Sequence, residues 1–138
     1  MEKSGLSGFS LADAQPPRAK GAWRLYEIEA VVWDGRSLRI QMQDHTRSVT
    51  ISFDLPTSFR SQDEGDMLDY WTVRKAEEIE VATVYTIEQS PYLEWLSANS
   101  VAGLTGPQKH WLIAGLDQCV EVICDADDLP TIEMRILK

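Results

Sequence analysis

Two cysteines and two histidines are all the thiol and imidazole side chains in this 138-residue chain. Zinc sites pair thiolates or imidazoles at short spacings, so that both ligands reach one ion. Cys119 and Cys124 lie five apart in what reads as one strand, which points them to opposite faces. They can neither share an ion nor bridge each other, and two reduced thiols are the expectation. His45 follows Asp44 in a turn and His110 opens a strand; neighbours in such backbone face apart, which argues against an Asp44-His45 base pair. The G-x-S-x-G of a nucleophile elbow is missing. Gly103-Leu104-Thr105-Gly106 lacks the lysine of a phosphate-binding loop and leads no helix. Asp125-Ala126-Asp127-Asp128 begins like a calcium loop, but Leu129-Pro130 then stand where a further oxygen ligand and a glycine are needed. The sequence therefore gives no catalytic, metal or cofactor set, and the balance is against an enzyme.

Long apolar runs are also missing. No window approaches the roughly 20 apolar residues of a membrane-spanning helix. The first twenty residues hold no apolar stretch of the length a secretory signal uses. The expectation is a cytoplasmic protein with no membrane association.

What is present is an ordinary globular balance, 43% apolar and 25% charged, in a length that suits one domain. The net charge of −9 is lopsided. Residues 1–60 carry eight Lys/Arg against seven Asp/Glu, and residues 61–138 carry five against fifteen. Such a field repels phosphate backbones and anionic lipid, excludes nucleic acid as the favoured partner, and favours a basic protein.

Residues 1–20 mix Gly, Ser, Ala and Pro16-Pro17 without periodicity and read as a flexible arm, leaving residues 21–138 as a single domain. Ala22–Asp34 reads as a strand ending at the hairpin signal Asp34-Gly35. Apolar and polar residues then alternate over Ser37–Asp44 and Ser48–Asp54, which predicts a three-stranded antiparallel meander with one face on a core. A short piece at Ser58–Ser61 is a further strand or an irregular edge. Asp66 could cap a short helix through Arg74, with a continued strand and loop as the alternative. Ile79–Gln89 reads as a strand. Ser90-Pro91 is a helix start, with Gly103 near its end. Lys109–Leu116, Cys119–Asp125 and Thr131–Leu137 complete an α+β fold: a mainly antiparallel sheet of six to eight strands, with one or two helices packed on one face.

Two acidic groups stand out, Asp63, Glu64, Asp66 and Asp69, and then Asp125, Asp127 and Asp128. They are candidates for a partner-facing patch, against the plainer reading of solvated surface or a favourable first helical turn. Five tryptophans, Trp23, Trp33, Trp71, Trp95 and Trp111, are many for this length. Most sit in strand and helix patterns that favour the core, with one or two left to anchor an interface.

The pieces Phe59-Arg60, Asp63-Glu64-Gly65-Asp66, Ser90-Pro91-Tyr92-Leu93-Glu94-Trp95, Lys109-His110-Trp111-Leu112-Ile113 and Val120-Glu121-Val122-Ile123 resemble a broad group of small uncharacterised bacterial proteins. Some of that group are classed with immunity proteins of polymorphic toxin systems. The resemblance spans residues 59–124, brings no catalytic motif, and implies a bacterial cytoplasmic protein that binds another protein. The leading expectation is thus a non-enzymatic protein-binding domain with an acidic surface, of an immunity type. The rivals are a small-molecule binder or enzyme with a pocket between the sheet and helix 90–101, and a homo-oligomeric structural domain.

Overall fold

The computed structural model describes residues 5–21, 24–100, 104 and 106–137. Expectations placed on Ala22, Trp23, Val101, Gly103 and Thr105 lie outside the described residues.

The predicted meander is there: β2 (Glu27–Trp33), β3 (Ser37–Gln43) and β4 (Arg47–Asp54) pair antiparallel, and β9 (Thr131–Ile136) adds to β4, giving the order β2-β3-β4-β9. Its hairpins are closed by side chains. Asp34 Oδ1 accepts from the amides of Arg36 and Ser37 at 2.9 and 2.8 Å, and Gly35 takes the left-handed backbone the turn requires, φ 90°. Asp44 repeats the device at the next turn, accepting from Thr46 and Arg47 amides at 2.8 and 2.7 Å.

A second sheet has the order β1-β6-β7-β8-β5, built from β1 (Ser7–Leu11), β5 (Ser58–Asp63), β6 (Val84–Gln89), β7 (Gln108–Ala114) and β8 (Gln118–Asp125). The two sheets pack face to face. Leu38, Ile40, Met42, Val49, Ile51 and Phe53 from the first meet Val84, Trp111, Ile113, Val120, Val122 and Cys124 from the second. The outer face of the five-stranded sheet buries another cluster, Leu6, Phe9, Met67, Tyr85, Ile87, Leu112, Ala114 and Cys119. Helices α1 (Leu68–Ala76) and α2 (Pro91–Asn99) cover that face. Strands β7 and β8 are therefore covered on both sides, which is why their sequences run apolar instead of alternating.

The fold is α+β with two antiparallel sheets, and among the described residues it has nine strands instead of six to eight. The extra strand comes from the segment read as a flexible arm. β1 pairs with β6, Leu6, Phe9, Ala12 and Ala19 are buried, and the Glu77 carboxylate accepts from the Gly8 and Phe9 amides at 2.9 and 2.7 Å. The described part of residues 1–20 is built into the domain. Other boundaries also move. Asp63, not Asp66, acts as a cap: its Oδ1 accepts from Gly65 N at 2.8 Å and starts a single 3-10 turn at Glu64–Asp66, after which Met67 leads into α1 without a side-chain cap. Ile79–Thr83 does not join β6, because Tyr85 Oη ties it down by donating to Glu80 O at 3.0 Å and accepting from Ala82 N at 2.7 Å. No helix among the described residues is long and apolar enough to cross a membrane.

Candidate functional site

Residue parity fixes which side chains meet on the outer face of the five-stranded sheet. Arg60 stands directly opposite Glu121 across β5 and β8, and His110 lies diagonal to Glu121, since its own partner on β8 is Ile123. Glu121 and His110 are 1% and 0% exposed. A buried carboxylate is costly unless its oxygens are occupied. Four donors occupy these: Arg60 Nε at 2.6 Å and Gln62 Nε2 at 3.4 Å on Oε2, with His110 Nε2 at 2.9 Å and the Tyr70 hydroxyl of α1 on Oε1. Burial pushes the Glu121 pKa up, but the hydrogen bonds from His110, Arg60 and Tyr70 outweigh it and hold the group below its ordinary value. Burial and the neighbouring carboxylate push the Tyr70 phenol up, so it stays a donor. For Arg60, burial works against the charge, and the Glu121 carboxylate more than restores it.

The network continues into α2. Ser90 Oγ is 2.6 Å from His110 Nδ1 and accepts from Leu93 N at 3.0 Å, the N-cap bond expected of Ser90-Pro91. In the neutral imidazole the proton sits on Nε2, facing an acceptor-only carboxylate, which leaves Nδ1 to accept from the serine hydroxyl. Ser90, His110 and Glu121 thus have the order nucleophile, base, carboxylate. They are enclosed, however, with Ser90 also buried and the Tyr70 and Tyr92 rings edge-on to the imidazole at 6.3 and 5.6 Å. In this arrangement the three groups lock α2 and α1 to the sheet.

What the network presents outward is Arg60. Its guanidinium stacks on the Tyr92 ring at 4.0 Å, its Nη2 is 3.2 Å from Tyr70 Oη, and its side chain is partly exposed. Beside it opens a cleft of about 430 Å³ between β5 and α2, lined by Ser58, Phe59, Arg60, Tyr92 and Trp95. Two of these lining groups, Ser58 Oγ and Tyr92 Oη, are hydrogen-bonded at 2.5 Å. Trp95 is 59% exposed, and Trp33, 45% exposed, extends the aromatic surface through its contact with Phe59, ring centres 5.8 Å apart. Trp111 is in the core and Trp71 packs partly buried on the outer-face cluster.

The acidic candidates do not form one patch. Asp63, Glu64, Asp66 and Asp69 gather where β5 ends and α1 begins, while Asp125, Asp127 and Asp128 follow the far end of β8. Asp63 is opposite Gln118, so the seven residues of β8 up to Asp125 separate the groups by roughly 20 Å. The second group adjoins the start of β5: Asp125 accepts from Gln108 Nε2 at 2.7 Å, and Thr57 Oγ1 is 2.6 Å from Gln108 Oε1. The aromatic cleft lies between them. Six of the seven are exposed, and Glu64 is partly buried.

Sequence reasoning did not find the Glu121 network. A glutamate inside the apolar run Cys119–Cys124 was its available signal, because a charge in a strand buried on both faces requires partners. Cys119 and Cys124 occupy opposite faces of β8 as free thiols. Among the described residues no three His, Cys, Asp or Glu side chains converge on a metal position. Set against known protein families, curated proteins and solved structures, the chain finds no match.

Proposed function

We propose that this chain is a non-enzymatic protein-binding domain that engages a basic partner through the surface between β5 and α2. The observation that carries the reading is the arrangement of that surface: an aromatic centre of Trp33, Phe59, Tyr92 and Trp95 around Arg60, with an acidic group at each end of β5. Tryptophan, tyrosine and arginine are the residues that dominate binding energy at interfaces, and charged rims speed encounter and select partners. The Glu121 network supports this use. It neutralises Arg60 and fixes its plane, so a partner meets a pre-set donor at little ordering cost. Within this class, the resemblance to immunity-type proteins favours a role in neutralising a basic toxin domain.

Affinity capture from the host cell with the tagged chain, at low and high salt, tests the reading. A basic protein retained at low salt and released at high salt supports it. Recovery of no basic protein at low salt counts against it.

A further inference from the structure

Among the described residues the first sheet ends in β9, an edge strand with no strand paired to its outer side. Edge strands in soluble proteins are usually protected by proline, a bulge, lysines or a covering element. Thr131–Ile136 has no proline and no lysine, and it pairs with β4 in unbroken register. Its apolar residues are poorly covered: Met134 and Ile136 are 42% and 66% exposed, although Ile132 and Met134 share the face of Ile51 and Val49 in the core.

The ladder determines which backbone groups are available. Leu137 N donates to Thr46 O at 2.7 Å, so residues 131, 133 and 135 also direct their amides and carbonyls to β4. Ile132, Met134 and Ile136 direct theirs outward. A second copy pairing antiparallel with this edge must therefore match even-numbered residues with even-numbered ones. If Met134 lies on the two-fold axis, Ile132 pairs with Ile136 and Met134 with itself, closing six backbone hydrogen bonds. On the other face Glu133 falls opposite Arg135 in both directions. Shifting the axis to Glu133 or Arg135 still matches outward groups, but it sets Glu133 against Glu133 or Arg135 against Arg135 and loses the two opposite-charge pairs.

We propose that β9 is a homodimer interface in which two copies join their four-stranded sheets into one of eight, with Met134 on the axis and Glu133–Arg135 pairs fixing the register. Such an isologous contact closes after two copies.

Sedimentation of the full chain over a wide concentration range, with charge variants, tests it. The wild type should dimerise. Glu133→Arg and Arg135→Glu, each replacing two attractive pairs by two repulsive ones, should weaken the dimer at least about tenfold. An equimolar mixture of these two variants should recover it, since the mixed dimer restores both pairs. Met134→Pro removes an outward amide without touching the β4 ladder and should give a folded monomer by circular dichroism. A wild type that stays monomeric throughout, single variants that dimerise as tightly as wild type, or a mixture no tighter than its components would each overturn the proposal.

Discussion

Arg60 and Glu121 are direct cross-strand partners, and the 2.6 Å contact from Nε to Oε2 joins the most buried charge of the outer face to the residue that presents it at the surface. Removing the carboxylate leaves His110 and Tyr70 without their buried acceptor, while Arg60 can still reach water. Glu121→Ala should therefore destabilise by about 2–4 kcal/mol, largely through the stranded His110 and Tyr70 groups. Urea unfolding checks this: the midpoint should fall with the slope unchanged.

Acid sensitivity follows from carboxylates held low. Burial of Asp44 works against its charge, but the amides of Lys20, Thr46 and Arg47 and the Arg47 guanidinium win and bring its pKa to about 2. Asp34 reaches about 2 through the amides of Ser37 and Arg36. Glu121 is also lowered. A depressed carboxylate stabilises fully above its unfolded pKa, near 4, and that contribution is lost as pH falls through the folded value. Stability should thus decline from about pH 4 towards pH 2. Asp44→Asn should flatten that decline, as followed by thermal unfolding across pH.

The two thiols should be silent in the native state. Burial pushes Cys119 up to about 12 and Cys124 up to about 11, so neither supplies thiolate near neutrality. Ellman's reagent at pH 8 should label neither cysteine in the folded chain and both in denaturant. Prompt native labelling would place a thiol at the surface.

The readable parts of the fold were those fixed locally. Leu38, Ile40 and Met42 alternate with polar residues because one face of their sheet is covered, and Ser90-Pro91 starts a helix through its own first turn. β1 was not readable, because Ser7–Leu11 is a strand by virtue of β6 and of Glu77, some 68 residues away. The Glu121 network was hidden for the same reason. His110 and Glu121 meet through a hairpin register, and Arg60 and Tyr70 arrive from elements that precede Glu121 by about fifty residues or more. The tryptophans were partly readable: a surplus over core needs was visible, but which ones remain exposed depends on where the sheets end.

Trp33→Ala and Trp95→Ala remove exposed rings and should change stability by about 1 kcal/mol or less. Each should nevertheless weaken capture of the basic partner, with Trp95→Ala, the more exposed anchor, costing about 2 kcal/mol or more. Titration of the captured partner against wild type and both variants, alongside their melting curves, separates binding from folding.

The most direct measurement is hydrogen exchange of the chain with and without its captured partner. Parity on β5 follows from Glu64 N donating to Asp117 O, and it leaves the Phe59 and Ser61 amides pointing away from β8. The partner should slow exchange at these amides and along Pro91–Asn99. Protection confined to another surface, with β5 and α2 exchanging as in the free chain, would contradict it.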